Sequence, residues 1–192
     1  MGALLWLVVI ALVIGISGGY LAYRVIGSGP SATTAAPGAA DPTVPWRARL
    51  LQNPDDPTAI LGLAHAHLDL GQLADAESLY QKVLSRDPKN VEAITHLGGV
   101  YLGRGAADAA LRQYDEALTL QPDYVHALWD KGHFLQQVKR DYRSAIRTWE
   151  AFIRAVGADS QDAKTAQGFI AEARKAMEGA PANAPASSKG KS

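Results

Sequence analysis

The chain has 192 residues, 19 Lys plus Arg against 19 Asp plus Glu, and no cysteine. With no net charge it has no bulk field to gather nucleic acid or lipid headgroups. Without cysteine it has no structural disulfide, no thiolate chemistry and no lipoprotein anchor.

Gly2 to Tyr23 carries no charged side chain and is dominated by Leu, Val, Ile, Ala and Gly. At ~1.5 Å per residue such a run spans a hydrocarbon core of ~30 Å. A cleaved signal peptide would have a basic start and an apolar core of only ~7–15 residues. No Lys or Arg precedes Arg24, so residues 1–26 are expected to be a transmembrane anchor. Arg24 and the terminal amine are the only charges that orient it, and they lean slightly toward a cytoplasmic carboxyl-terminal domain. Residues 27–44 are rich in Ala, Pro, Ser, Thr and Gly, with Asp41 the one charge. This composition cannot bury a core and predicts a flexible linker.

Beyond the linker, Pro54, Pro88 and Pro122 recur every 34 residues, and the residues between them repeat with that period. Ile60 matches Ile94, Leu63 matches Leu97, Ala64 matches Gly98, and Tyr80 matches Tyr114. A period of this length marks stacked helix–turn–helix units, none of which can bury its apolar face alone. Ala64, Gly98, Ala76 and Ala110 are small enough for close helix crossings. Gly71 and Gly105 end the first helix of each unit as C′ glycines do. The prolines follow the second helix, which cannot continue into them.

A third unit opens with Val125, Leu128, Gly132 and Leu135. Its second-helix residues Tyr142, Ala145, Trp149 and Phe152 come one residue late, which predicts a lengthened turn over Val138–Asp141. Upstream, Trp46 holds the position of Tyr80, so Pro45 to Leu51 reads as a lone second helix. Downstream, Ala163, Ala166, Ile170, Ala173 and Met177 recur at helical spacing and predict a terminal capping helix. Asp159 and Ser160 are its candidate N-caps. The folded part is expected over residues 45–178, with seven or eight helices, and residues 179–192 have the composition of a disordered tail.

These matched positions resemble the tetratricopeptide repeat (TPR) family. The resemblance implies an all-α solenoid of about three repeats, with an amino-terminal half-repeat, a carboxyl-terminal capping helix and, here, one amino-terminal transmembrane helix. It also implies a protein–protein scaffold and not an enzyme. Its groove positions fall on Leu61, His65 and Leu68 in the first unit, and on Thr95, Gly99 and Leu102 in the second. In the third unit they fall on Trp129, His133 and Gln136. Such a groove suits an extended peptide or an amphipathic helix, with Trp129 as the aromatic anchor and Trp149 in the core. Leu61, Leu68 and Leu102 fit core positions equally well. No HExxH, CxxCH or phosphate loop accompanies the five histidines. No metal, cofactor or catalytic residue is therefore expected, and His67 falls at a packing position. Lys139, Arg140, Arg143, Arg147 and Arg154 read as solvated helix faces, with a docking patch as the alternative.

The layout also resembles the membrane-anchored TPR proteins of bacterial c-type cytochrome biogenesis, including the TPR subunit of the haem lyase. That resemblance implies a single-pass inner-membrane protein with periplasmic repeats. Its partners would be apocytochrome c, held for haem attachment, and the haem-lyase subunits. The alternatives are a TPR scaffold of another envelope assembly, such as a secretion, pilus or cell-wall complex, and a self-associating TPR protein.

Overall fold

The computed structural model describes residues 41–179. The anchor expected over residues 1–26, most of the linker and the tail lie outside the described residues. Among the described residues, no helix is long and apolar enough to cross a membrane. The last linker residues are already structured: the Thr43 amide and hydroxyl donate to the Asp41 carboxylate at 2.9 and 2.7 Å.

Eight α-helices follow, with no strand among the described residues. They are α1 (Val44–Gln52), α2 (Pro57–Asp69), α3 (Leu73–Arg86), α4 (Val91–Gly103), α5 (Ala107–Leu120), α6 (Val125–His133), α7 (Tyr142–Val156) and α8 (Gln161–Gly179). Helices α2–α3, α4–α5 and α6–α7 form the three pairs, and α1 is the lone second helix. First helices touch one another along the stack, α2 with α4 and α4 with α6, whereas α3 and α5 make no contact of that extent. The first helices therefore line the inner side of the curve.

The caps follow from residue chemistry. Asp56 precedes Pro57 and accepts from the Thr58 and Ala59 amides at 3.0 and 3.3 Å. Asn90, one period later, accepts from the Ala93 amide at 3.0 Å. Ser160 caps α8, its hydroxyl accepting from the Ala163 amide at 3.0 Å. Each such bond satisfies one of the amides that a helix start leaves without an intrahelical carbonyl.

The first two pairs close α2 and α4 identically. The Gln72 amide donates to the His67 carbonyl at 2.8 Å, and the Ala106 amide to the Tyr101 carbonyl at 2.9 Å. Gly71 and Gly105 stand at φ +69° and +75°, where a residue without Cβ is unstrained. His67 is buried and bonds the Gln72 side chain, so it belongs to this closure.

The third pair corrects the sequence reading. The extra residue does not lengthen the turn. It lies inside the first helix, where Phe134–Lys139 forms a π turn continuous with α6. The closing bond then runs from the Asp141 amide to the Leu135 carbonyl at 2.9 Å, a span of six residues where the other units span five. A π turn takes up a single inserted residue without breaking the helix. Arg140 then occupies the glycine position, at φ +53°. Left-handed backbone costs a side-chain-bearing residue ~1–2 kcal/mol. Arg140→Gly is accordingly expected to stabilise the chain by about 1 kcal/mol, measured as a shift in the urea midpoint. A loss of stability would show that the Arg140 side chain contributes more than its backbone strain costs.

The core forms where large rings press on positions lacking side chains. A Cβ on Gly62 would stand 2.6 Å from the Trp46 indole, one on Gly98 2.6 Å from the Tyr114 ring, and one on Gly132 2.7 Å from Trp149. Tyr80, Tyr114, Trp149, Phe134 and Phe152 are all buried. Surface ion pairs such as Lys139–Asp108 at 2.6 Å tie neighbouring units, at up to ~1 kcal/mol each.

Candidate functional site

The nine expected groove residues fall into three groups. Leu61, His65, Gly99 and Leu102 are half-buried on α2 and α4. They leave surface open at the first two units. A Cβ on Gly99 would meet only Leu68 Cδ2, at 4.0 Å.

Leu68 and Thr95 are buried, at 7% and 0% exposure. Leu68 packs among Ile60, Ala64 and Leu97, and the Thr95 hydroxyl donates to the Val91 carbonyl at 2.8 Å. This corrects the expectation that they face a partner: both are internal.

The third group belongs to the far end of the array. Gln136 Oε1 accepts from the Trp149 indole nitrogen at 3.0 Å, so its amide serves the core. Trp129 lies 5.1 Å from Phe152, 5.3 Å from Trp149 and 5.8 Å from Phe169 between ring centres. His133 lies 4.8 Å from Phe169 and 4.9 Å from Trp149. Phe169 is on α8, so α8 packs over these residues as the first helix of a next unit would. Trp129 and Trp149, expected in separate roles, form one aromatic cluster. The cause is sequence-distant: a residue facing forward along the stack is met by whatever helix comes next.

A second feature was not expected. His65 and His96 come together with ring centres 4.4 Å apart. His65 Nε2 lies 3.6 Å from Glu92 Oε1, too far for a hydrogen bond. One donor atom from each of His65, His96 and Glu92 falls within 4.8 Å of the others. The Tyr80 ring stands 5.7 Å from His65 and 5.9 Å from His96. His126 stands 6.1 Å beyond His96. The His65 Nε2 atom and the Tyr80 hydroxyl are buried with no hydrogen-bond partner among the described residues, an arrangement that costs ~1–3 kcal/mol per group.

Burial sets the charge state here. It pushes His96 down to about 3, with the neighbouring His65 and His126 acting in the same direction. Burial also lowers His65, against the pull of Glu92 and Asp69. Burial pushes His133 down to about 4. These imidazoles are neutral at pH 7, with lone pairs available to a donor or a cation. Asp130, one period after His96, is pushed up to about 7 by burial.

The spacing signal for this cluster was present in the chain. His65 and His96 are 31 residues apart, the separation that also joins Asp55 to Arg86 and Asp108 to Lys139. Contacts between neighbouring units recur three residues short of the period. A search at the period itself cannot find them.

An open cleft of about 440 Å³ lies between α5, α6 and α7, lined by Leu111, Leu118, Arg147 and Thr148 among others. None of the expected groove residues lines it.

Comparison with known proteins agrees with the repeat architecture. A family model described as tetratricopeptide repeat matches residues 61–134, ending where the π turn begins. Superkiller complex protein 3 of Mus musculus is 33% identical over 88 residues, 46% of this chain and 6% of that protein. DnaJ homolog subfamily C member 3 of Homo sapiens is 29% identical over 94 residues, 46% of this chain and 19% of that protein. The chain thus matches a small part of these relatives. Among solved structures, a thermophilic TPR protein of Thermus thermophilus superposes with TM-score 0.59 at 20% identity, over 70% of this chain and 72% of that one. The first TPR of Spaghetti, bound to an HSP90 peptide, superposes with TM-score 0.56 at 16% identity, over 64% of this chain and 95% of that one. At such identities the structures speak for the fold alone. The tetratricopeptide-repeat solenoid is therefore the fold of the described residues.

Proposed function

We propose that this chain is a membrane-tethered scaffold whose inner groove receives an amphipathic helix or extended segment of a protein partner. The observation that carries this reading is the uneven cover of the inner face. At the third unit, Phe169 of α8 packs on Trp129 and His133, whereas over Gly99 the inner face is open, a Cβ there meeting only Leu68 Cδ2 at 4.0 Å. A helix laid across that open face by its apolar side would be held as α8 is held at the far end. The similar peptide-bound TPR domain supports a groove of this kind.

The apolar run of residues 2–23 supports the tether, and the overall layout supports a role in bacterial c-type cytochrome biogenesis. The partner would then be apocytochrome c, offered by its carboxyl-terminal helix to the periplasmic repeats. Calorimetric titration of the chain with that helix as a synthetic peptide tests the reading. Binding is expected, and Gly99→Leu is expected to weaken it at least about tenfold, or ~1.4 kcal/mol. It would do so by filling the groove floor while the array still folds. Equal binding by Gly99→Leu would move the interface elsewhere, with the basic stretch Lys139 to Arg154 next in line. A topology reporter after Ser192 tests the compartment, and a cytoplasmic signal would remove cytochrome biogenesis and leave the scaffold.

A further inference from the structure

We propose that His65, His96 and Glu92 form a zinc-binding site between the first two units. Each element presents its ligand for a local reason. His65 sits on α2 facing the next unit. Glu92 and His96 lie one helical turn apart on α4 and so share a face. The 34-residue repeat places these two faces opposite each other.

The chemistry suits the ion. Two imidazoles and one carboxylate make a ligand set that Zn²⁺ accepts, with the fourth tetrahedral position left to water. In such a site the donors stand roughly 3.4 Å apart, given metal–ligand bonds of ~2.0–2.1 Å. Here they lie within 4.8 Å before any ion draws them in, a closure that side-chain rotation can supply. The side chains of His65 and Glu92 are 31% and 43% exposed, which gives an ion a path in from the groove. The site also resolves the two orphaned atoms. His65 Nε2 would bind the ion directly, and the Tyr80 hydroxyl, on a ring 5.7 and 5.9 Å from the two imidazoles, would be a donor for the water on it. Ordinary core packing accounts for neither: two histidines and a tyrosine converge here with two buried polar atoms unmatched.

The test uses the full chain and ZnCl₂ at neutral pH. Calorimetry is expected to show one equivalent bound. Glu92→Gln should weaken it at least about tenfold, the loss that even an indirect partner of a ligand produces. Glu92 is a half-exposed residue in the first turn of α4, so this variant is expected to fold. His96→Gln should abolish binding, with circular dichroism reporting whether it folds. In the parent, the imidazole resonances of His65 and His96 should shift with the first equivalent, and those of His67 and His133 should stay. No binding, or several weak sites indifferent to Glu92→Gln, or saturation without movement of His65 and His96, would each overturn the site.

Discussion

Trp149→Ala is expected to destabilise the chain by ~3–5 kcal/mol, the cost of truncating a fully buried aromatic side chain. Trp149 is 0% exposed. Its indole fills the space over Gly132 and donates to Gln136, so the truncation opens a cavity and leaves the Gln136 oxygen without its donor. Total stabilities are only ~5–15 kcal/mol, and the melting temperature should fall by on the order of 10 °C or more. The damage should also reach α8, because Phe169 lies 5.0 Å from the Trp149 ring. Amide exchange in α8 should quicken ahead of that in α2 and α3. Trp129→Ala should lower stability by a smaller amount, since Trp129 packs in the same cluster. The sequence reading places Trp129 in the groove as an anchor and Trp149 alone in the core. A Trp149→Ala chain that melts with the parent would contradict this packing.

Two neighbouring glycines are expected to respond with opposite signs. A Cβ on Gly98 would stand 2.6 and 2.9 Å from Tyr114 Cε1 and Cδ1. Tyr114 is itself buried and has nowhere to move. Gly98→Ala should therefore cost ~1–3 kcal/mol through overpacking. Gly99 faces open groove, and alanine exceeds glycine in helix propensity by ~1 kcal/mol. Gly99→Ala should therefore stabilise. Urea denaturation of the two variants decides it, and two shifts of the same sign would misplace one of the glycines.

Much of the fold could be read from side-chain recurrence, because each unit repeats the same local problem. Small residues at 64, 98 and 132 mark the close crossings, and Gly71 and Gly105 mark the helix ends. The candidate site was harder to read, for a geometric reason. Leu68, Thr95 and Gln136 occupy the expected groove register, yet their orientation depends on packing from other helices. The packing of Trp129 on Phe169 was not legible because α8 lies 30 to 50 residues downstream. The cluster of His65, His96 and Glu92 lies across a unit boundary, its histidines 31 residues apart, so matching residues at the full period misses it.

The π turn of the third unit has a consequence for anyone aligning this chain with other repeats. An alignment naturally opens its gap in the connector, where insertions are most often tolerated. Here the added residue enters between Leu135 and Asp141, inside the helix. Leu135 corresponds to Tyr101, and Asp141 to Ala106, so residues 136 to 140 have no unique counterparts in the other two units. A column placing Gln136 beneath Leu102 compares a hydrogen-bond acceptor for the core with an apolar packing residue. Substitution profiles drawn from such columns would score the Gln136 amide as an anomaly in a leucine position, when it is the acceptor for the Trp149 indole.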